Sequence, residues 1–396
     1  MPSADSSVLE VGGEHLRILG SGGHTHPPPE PRKGTLLTSR ARSVHTLSTT
    51  VGPLVSAYDV IMFDLDGVLY VGAEQVPYAA DSVHKVRGTG ASVAFVTNNA
   101  SRTPERVAAH LRDVGIPAVD TDVVTSAQAA ARLVAELVPP GAAVLVVGGA
   151  GLEAALAEYG LRAVRALTEK PAAVLQGYSP DVAWTHLAEA SYAVAAGLPW
   201  VASNTDLTIP TARGIAPGNG TLVAAVAAAS GGRPRVAGKP EAPLFDETVL
   251  RVGGRRPLVV GDRLDTDIEG ANRVGADSLL VLTGVTTAGS VCNAAPERRP
   301  TFVAPDLRGL SRPQPAAEVY GDGSRQSCGC GGWRAEVDPA GVLTVSPESK
   351  EGPGVTDDRR IALLRAAVGA VWAWRDGQTS PPEIDASALT VALAEA

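Results

Sequence analysis

The sequence predicts an α/β fold: a core built on a parallel sheet, a second α/β domain inserted into it, and a small α+β extension at the C-terminal end. Short apolar runs alternate with helical patterns from residue 58 onward, and such alternation places helices on both faces of a parallel sheet. The alternation restarts after residues 139–141, and its first pattern resumes after residue 236, which indicates an insertion. Beyond residue 311 short strands and one long helix indicate a separate module.

The first part of the core is predicted over residues 55–138. Apolar runs predict its strands, and amphipathic patterns predict its helices. Thr103 is the predicted N-cap of one helix, because Pro104 follows it in the first turn. The predicted strands are 60–63, 92–96 and 123–124, and the predicted helices are 79–87, 104–114 and 127–137.

The inserted domain is predicted over residues 139–233, between the breakers Pro139-Pro140-Gly141 and Gly231-Gly232. The second part of the core is predicted over residues 234–310. In chain order, these segments are predicted to contain strands 143–147, 172–176, 200–202, 258–260 and 278–282, and helices 222–230, 243–252 and 266–274.

The two ends of the chain have different compositions. Residues 1–54 are rich in Gly, Pro, Ser and Thr and sustain no period, which predicts a disordered leader. Residues 311–327 are typical of a linker. The C-terminal module, residues 328–396, is predicted to hold strands 333–337 and 342–345 and an amphipathic helix over 357–374.

Charge and cysteine content limit the classes of partner. The net charge is −8, whereas nucleic-acid binders and anionic-membrane binders need a basic surface, so neither partner is expected. No stretch reaches the roughly 18 apolar residues of a membrane span. The three cysteines are too few for a disulfide framework and indicate reduced thiols in a loop and a cytoplasmic location. Cys328-Gly329-Cys330 could be half of a metal site, but no second Cys or His pair follows it.

Two aspartates follow the first apolar strand directly. Asp64 and Asp66 lie two residues apart, so both carboxylates face the same side, beyond the carboxyl end of the strand, where ligands bind in open α/β sheets. Two such charges repel unless a cation or a proton intervenes. Mg²⁺ prefers oxygen ligands and resolves this conflict. Gly67 lets the chain turn away and leaves room for a ligand.

Three further polar groups follow other predicted strands or precede a helix. The hydroxyl and backbone N–H groups of Thr97-Asn98-Asn99 end the second strand and can form a phosphate cradle. Lys239 precedes a helix and can neutralise a phosphoryl group and keep a nucleophile ionised. Asp262 follows the strand at 258–260 and can complete a metal site. Each group alone has a purely structural explanation, such as a turn, a helix cap or a solvated charge, but these three groups together with the Asp64/Asp66 pair indicate function.

These residues resemble the signature of the haloacid dehalogenase (HAD) superfamily of phosphatases, in the order Asp64/Asp66, Thr97, Lys239 and Asp262/Asp267. The insertion is similar to a C2 cap. The resemblance implies a Rossmann-like parallel-sheet core, and it extends over about residues 58–310. The segments that resemble the class IIA subfamily of nitrophenylphosphatases, phosphoglycolate phosphatases and pyridoxal phosphatases are 96–99, 147–149, 203–206, 217–220 and 238–240.

The resemblance implies a two-step mechanism and a role for each residue. Asp64 would attack phosphorus to form an aspartyl-phosphate, and Asp66 would act as acid and then as base. Mg²⁺ would be held by Asp64, Asp262 and the backbone carbonyl of Asp66, with Asp267 supporting these ligands. The remaining residues, Thr97, Asn98, Asn99 and Lys239, would bind the substrate phosphate.

Two alternatives from other functional classes stay open at this point. Residues 149–154 fit G-x-G-x-x-A between a strand and a helix, with Glu169 where a ribose-binding acid could lie, which would indicate dinucleotide binding. A scaffold with a decayed catalytic core is the second alternative. Against both, the dinucleotide pattern explains none of the aspartates, and every expected catalytic residue is present.

The substrate is expected to be a small phosphate ester chosen by the inserted domain. The layout of the chain, including Cys330-Gly331-Gly332-Trp333, is similar to that of actinobacterial glycerol 3-phosphate phosphatases. Thr208-Ile209 precede Pro210 where pyridoxal phosphatases tend to carry Trp-His, which disfavours that substrate. Glycerol 3-phosphate is therefore expected first, with phosphoglycolate or a broad range of nitrophenyl and nucleotide esters as alternatives. Association of copies through the cap or the C-terminal module is left open.

Overall fold

The computed structural model describes residues 46–211, 213–321, 325–348 and 357–395. The strands, in chain order, are β1 (Val60–Phe63), β2 (Tyr70–Val71), β3 (Glu74–Gln75), β4 (Ser92–Thr97), β5 (Val123–Thr125), β6 (Ala143–Val147), β7 (Arg162–Val164), β8 (Ala173–Gln176), β9 (Trp200–Ala202), β10 (Thr208–Thr211), β11 (Gly214–Pro217), β12 (Arg235–Val236), β13 (Pro257–Gly261), β14 (Asp277–Val281), β15 (Phe302–Ala304), β16 (Glu318–Gly321), β17 (Gln326–Cys330), β18 (Trp333–Val337) and β19 (Leu343–Pro347). The helices are α1 (Ala79–Gly88), α2 (Pro104–Asp113), α3 (Ser126–Ala135), α4 (Ala150–Glu158), α5 (Trp184–Ala195), α6 (Asn219–Ser230), α7 (Ala242–Val252), α8 (Glu269–Val274), α9 (Ala288–Cys292), α10 (Asp357–Asp376) and α11 (Ser387–Glu395).

A six-stranded parallel sheet forms the core, in the order β15-β14-β13-β1-β4-β5. The apolar strand β1 is fully buried at its centre, with Phe63 opposite Val260 of β13 and Phe95 of β4. Parallel strands end at the same edge of a sheet, so the residues after β1, β4 and β13 are neighbours although they are far apart in the chain. The predicted α/β class is confirmed, and this edge is where the polar motifs meet.

A second parallel sheet, in the order β12-β9-β8-β6-β7, is formed within residues 143–236. One hydrophobic cluster joins it to the core, because Met62 and Ala94 of the core belong to the same cluster as Val144 and Val201. On the other face, α5 and α6 cover the sheet through Ala190 and Val223. Helix α5 was not predicted, because small residues such as Ala and Ser give it only a weak apolar stripe.

The C-terminal region is a four-stranded antiparallel sheet, β16-β17-β18-β19, packed against the long helix α10. Leu363, Leu364 and Trp372 of this helix are fully buried. Arg365 is also fully buried, and its guanidinium donates hydrogen bonds to the carbonyls of Pro315 (2.8 Å) and Ser48 (2.6 Å). The α+β extension is therefore confirmed, and an arginine rather than only apolar contacts ties it to the preceding chain.

The leader prediction is wrong for residues 46–54. The N–H of Ser48 donates to the carbonyl of Thr301 (3.0 Å), and Thr50 forms a β-bridge with Gln314. Leu47 and Leu54 are buried, so these two apolar side chains anchor a segment whose composition is otherwise that of a loop. The predicted disorder of residues 1–45 lies outside the described residues.

The linker prediction for residues 311–327 is also wrong, because β16 and the start of β17 lie within it. Cys328 and Cys330 are buried in β17 and Cys292 is buried at the end of α9, so the thiols are not in a loop. The local pattern does not predict β17, because its Gln-Ser-Cys-Gly-Cys sequence has little intrinsic strand preference, and pairing with β16 and β18 decides its conformation.

None of the helices within the described residues has both the length and the apolar character that a membrane crossing needs.

Candidate active site at the carboxyl edge of the core sheet

Lys239 is the central cation of the site. Its ammonium Nζ lies 2.5 Å from Asp64 Oδ1, 2.7 Å from Asp267 Oδ1 and 3.2 Å from the carbonyl oxygen of Val96. Its side chain is only 4% exposed, and the two carboxylates raise its pKa against the opposing effect of burial. The charged form is therefore secured by these partners, and Lys239 binds two of the predicted aspartates at once.

Three carboxylates converge beside this lysine. One oxygen each of Asp64, Asp262 and Asp267 lies within 4.8 Å of the other two. Burial, followed by repulsion from the neighbouring aspartates, raises the pKa of Asp262 to about 7, and burial raises that of Asp267 to about 6. Burial also raises the pKa of Asp64, while Lys239 lowers it. Three carboxylates with one ammonium leave an excess of negative charge that favours a further cation.

The donor set fits a magnesium ion. Asp262 Oδ2 accepts a hydrogen bond from the N–H of Val285 at 2.6 Å, but its buried Oδ1 has no hydrogen-bond partner in the described part of the chain. A buried carboxylate oxygen without a partner is costly unless a cation binds it. Oxygen donors without nitrogen or sulfur are typical of Mg²⁺ sites.

Asp267 and Asp66 differ from Asp262 in the surroundings of their carboxylate oxygens. Both Asp267 oxygens are engaged, Oδ1 by Lys239 and Oδ2 by the N–H of Arg263 at 3.2 Å. The carboxylate of Asp66 is outside the three-carboxylate group, and the residue is exposed, whereas Asp64 is half-buried. Asp66 therefore keeps an open carboxylate, while its predicted metal contact through the backbone and the supporting role of Asp267 stay predictions.

Glycines make room for these aspartates. Gly67 has a φ of +83°, and a Cβ there would lie 2.5 Å from Asp262 Oδ2. A Cβ on Gly284 would collide with the same carboxylate. The hydroxyl of Thr283 donates to the carbonyl of Gly67 at 2.6 Å, which holds the two loops together. The tight turn predicted at Gly67 is therefore present, and the absence of a side chain there lets the Asp262 carboxylate approach the Gly67 backbone closely.

The Thr97-Asn98-Asn99 segment lies beside Lys239 at the end of β4. Thr97 is buried, and its Oγ1 accepts a hydrogen bond from the N–H of Asn99 at 3.0 Å. The side-chain oxygen of Asn99 accepts hydrogen bonds from the N–H and the hydroxyl of Ser101, so this oxygen shapes the loop. The side chain of Asn98 bonds to the backbone of Lys239. The predicted phosphate-binding roles of these residues stay predictions.

Asp206 is a residue of this neighbourhood that the sequence analysis did not place in the site. It comes from the loop after β9, and both its carboxylate oxygens lie 3.3 Å from Asn98 Nδ2. The motif Ser203-Asn204-Thr205-Asp206 was singled out only as part of the family resemblance. No local pattern indicates that a residue 108 positions after Asn98 contacts it.

The glycines of the G-x-G-x-x-A pattern have a packing role. A Cβ on Gly149 would lie 3.2 Å from the carbonyl oxygen of Ser101, and one on Gly151 would lie 2.7 Å from that of Arg102. The carbonyl groups of this core loop therefore crowd the N-terminal turn of α4, where a dinucleotide would place its pyrophosphate. Glu169 accepts hydrogen bonds from the N–H groups of Arg165 and Ala166, which gives its carboxylate a local use.

Comparison with protein families gives two matches, one over the first core segment and the start of the inserted domain and one over the second core segment. Residues 61–162 match the model described as haloacid dehalogenase-like hydrolase, and residues 236–310 match the model described as HAD-hydrolase-like. The first match includes Asp64 and Asp66, and the second includes Lys239 and Asp262.

Individual relatives are phosphatases. The chain is 44% identical over 319 residues to the D-glycerol 3-phosphate phosphatase of Mycobacterium tuberculosis, covering 81% of this chain and 87% of that protein. It is 37% identical over 253 residues to an acid sugar phosphatase of Staphylococcus aureus, covering 63% of this chain and 95% of the relative. A crystal structure of glycerol phosphate phosphatase from M. tuberculosis in complex with magnesium matches with a TM-score of 0.72 and 41% identity, covering 87% of this chain and 99% of that chain. A nitrophenylphosphatase structure from Geobacillus stearothermophilus matches with a TM-score of 0.58 and 33% identity, covering 63% and 96%.

Proposed function

Because this chain belongs to the haloacid dehalogenase-like hydrolase family, we propose that it hydrolyses a phosphate monoester with Asp64 as the nucleophile. The observation that carries this assignment is the contact between Lys239 Nζ and Asp64 Oδ1 at 2.5 Å, at the carboxyl edge of the core sheet. A carboxylate attacks phosphorus only when it is ionised, and a buried ammonium beside it favours the ionised form.

In the first step, an oxygen of Asp64 forms a bond to phosphorus as the bond to the ester oxygen breaks. Asp66 gives its proton to that leaving oxygen, so the alcohol departs uncharged. The exposed position of Asp66, two residues from the nucleophile, supports this role. In the second step, a water attacks phosphorus, its proton passes to Asp66, and the bond between phosphorus and Asp64 breaks, which returns both carboxyls to their starting state.

Binding of the phosphoryl oxygens is assigned to Thr97, the backbone N–H of Asn98, Asn99 and Lys239. These residues lie around the end of β4, beside Asp64. Asp64, Asp262 and the backbone carbonyl of Asp66 would hold Mg²⁺, with Asp267 fixing Lys239 and the adjoining loop. The ion, when bound, supplies positive charge that offsets the repulsion between an anionic nucleophile and an anionic substrate.

Glycerol 3-phosphate is the substrate that we propose first. The 44% identity to a D-glycerol 3-phosphate phosphatase over most of both chains supports it. The core residues described above are assigned to phosphate and metal, so we assign the choice of alcohol to the inserted domain, residues 139–233, which packs on the core at 55–138 and 234–310. Phosphoglycolate and a broad range of nitrophenyl and nucleotide esters are the alternatives.

A panel of phosphate esters tests this proposal. The kcat/KM for glycerol 3-phosphate should exceed those for phosphoglycolate, a nucleoside monophosphate and p-nitrophenyl phosphate in the presence of Mg²⁺. Equal values for all four would identify a generalist and reject the specific substrate. Hydrolysis of none of them, at any Mg²⁺ concentration, would reject the phosphatase assignment itself.

We also propose that copies of this chain associate through the inserted domain or the C-terminal module. Trp184 and Tyr192, on the outer side of α5, are 75% and 57% exposed and support the first surface. Light scattering should give a mass above that of one chain, and replacing both aromatic residues with lysine should give a monomer if the inserted domain is the contact.

A cytoplasmic location is proposed as well, supported by three free, buried thiols and testable by cell fractionation.

A further inference from the structure

The side chain of Asn98 forms a two-point clamp on the backbone of Lys239. Asn98 Oδ1 accepts a hydrogen bond from the N–H of Lys239 at 2.8 Å, and Asn98 Nδ2 donates one to the carbonyl of Lys239 at 3.1 Å. An amide nitrogen carries two hydrogens, so the Nδ2 group needs a second acceptor when it is shielded from water. Asp206 supplies that acceptor, with both oxygens at 3.3 Å.

The acceptor character of Asp206 stabilises the orientation of this amide. An ionised carboxylate accepts hydrogen bonds and donates none. If the Asn98 amide were rotated by half a turn, its oxygen would face the Asp206 carboxylate and the Lys239 carbonyl, while its NH₂ group would face the Lys239 N–H. Three favourable hydrogen bonds would become three repulsive contacts. Asp206 therefore reinforces the amide orientation that the two Lys239 contacts already favour, and it stabilises the clamp on the Lys239 backbone.

The loop that carries Asp206 is itself held in place. The N–H of Asp206 donates to Asn204 Oδ1 at 3.1 Å, and the N–H of Gly220 donates to the carbonyl of Asp206 at 2.8 Å. Asn204 Nδ2 donates to the carbonyl of Asn98 at 2.7 Å, so the same loop also holds the backbone of Asn98. Asn219 donates from Nδ2 to the carbonyl of Asn204 at 2.7 Å. The loop is a well-bonded support that belongs to the inserted domain.

We propose that Asp206 is a positioning residue for phosphoryl transfer: it stabilises the Asn98 amide in the orientation that holds the Lys239 backbone, and so helps to aim Lys239 Nζ at Asp64. This inference rests on the proposed function, because it assigns Lys239 a part in the reaction. The inserted domain then does more than contact the alcohol of the substrate. It completes the support of the catalytic lysine through a side chain that the core lacks.

A positioning role and a substrate-binding role make different kinetic predictions. Loss of the clamp displaces Lys239 relative to Asp64 in every complex, so kcat should fall by the same factor for all esters. Loss of a direct contact to the alcohol would raise KM for the ester that makes the contact and leave others unchanged. The comparison of two unlike esters therefore separates the two roles.

The experiment compares Asp206→Leu, which removes the acceptor, with Asp206→Asn, whose amide oxygen can still accept from Asn98. With p-nitrophenyl phosphate and glycerol 3-phosphate, Asp206→Leu should lower kcat by about 10- to 100-fold on both esters, and any change in KM should be the same for both because Lys239 also binds the shared phosphoryl group. Asp206→Asn should recover most of the loss. Asp120→Leu is the control for replacing an aspartate with leucine, since Asp120 is an exposed core residue 3.7 Å from Arg112, and it should leave kcat unchanged.

A kcat that is unchanged in Asp206→Leu, or a KM effect confined to one ester, would overturn the proposal. Asp206→Ala replaces the leucine variant if the latter does not fold. Thermal unfolding provides a readout without substrate: Asn98→Ala and Asp206→Leu should each lower Tm, and the double variant should lower it by less than the sum. Additive Tm shifts would show that the two side chains do not interact and would reject the proposal. If the wild-type chain hydrolyses no ester while the variants show non-additive Tm shifts, only the proposed function is rejected, and the contact between Asn98 and Asp206 stands.

Discussion

The two parallel sheets of this chain share an architecture and differ in what lies at their carboxyl edges. At the edge of the core sheet, Asp64, Asp262 and Asp267 surround Lys239. At the edge of the second sheet, glycines directly follow β6 and β8, and Gly149 and Gly177 are in close contact with the core loop at residues 100–101. The edge of the core sheet therefore concentrates charged side chains, whereas the edge of the second sheet packs closely against the backbone of the core loop.

The difference teaches that strand-end position alone does not identify a catalytic site. Both edges have glycine-rich turns leading into helices, and a motif search would select either. Among the described residues, the core edge has an ionisable side chain with a buried, unpartnered oxygen, Asp262 Oδ1, whereas the second edge has the uncharged amide of Gln176, whose oxygen and nitrogen are also buried without a partner. The second edge instead supports the first, because its loops hold Asn98 from both the side chain and the backbone.

The largest expected effect is at the nucleophile. Asp64→Asn should lower kcat by at least about 10⁴-fold, because an amide oxygen cannot form the phosphoryl bond and leave again as a carboxylate does. Binding of inorganic phosphate, measured by calorimetry, should persist because Lys239 remains. Asp120→Asn, at an exposed position, is the matched control and should be as active as wild type. Turnover near the wild-type rate in Asp64→Asn would place the nucleophile elsewhere.

Removal of divalent metal should have the next largest effect. Treatment with a chelator should lower kcat/KM by at least about 10³-fold, since the loss of one bound cation at such a site is worth several kcal/mol. Added MgCl₂ should restore the rate, and equal ionic strength from NaCl should not. Full activity after exhaustive chelation would contradict the interpretation of the Asp262 environment.

A single methyl group added at Gly151 should disturb the close contact between the inserted domain and the core loop. Gly151→Ala places a Cβ within 2.7 Å of the Arg102 carbonyl oxygen, so the core loop must shift. Tm should fall by about 2–6 °C and kcat by about 10-fold. Gly88→Ala is the control, because nothing lies within 4 Å of its Cβ, and it should leave kcat unchanged. Equal behaviour of the two variants would mean that the contact does not support the site.

The smallest expected effect is that of adding NADH, which we expect not to bind. Titration with NADH should leave its fluorescence unchanged, because the N-terminal turn of α4 is covered by the carbonyl groups of the core loop. A saturable rise in NADH fluorescence that is lost in Gly149→Val would restore the dinucleotide interpretation. Such a result would also remove the contrast between the two edges.

Much of this fold could be predicted from the sequence because its signals are local. Apolar runs such as Val60–Phe63, and their alternation with helices, predict both parallel sheets. Convergence of Asp64 and Asp262 follows from the rule that parallel strands end at one edge. By contrast, the arrival of Lys239, which follows β12 of the second sheet, the burial of Leu47 and Leu54, the strand β17 and the contact of Asp206 with Asn98 depend on partners distant in the chain, which no local period encodes.

The most direct test of the central claim is to trap the phosphoryl group on Asp64. In Asp66→Asn the second step lacks its base, while p-nitrophenyl phosphate needs no acid for its leaving group, so the intermediate should accumulate. We predict a burst of nitrophenolate stoichiometric with enzyme, and, after quenching and borohydride reduction, mass spectrometry should find homoserine at position 64. No burst and an unmodified Asp64 peptide, in a preparation whose wild-type enzyme hydrolyses the same ester, would contradict the account.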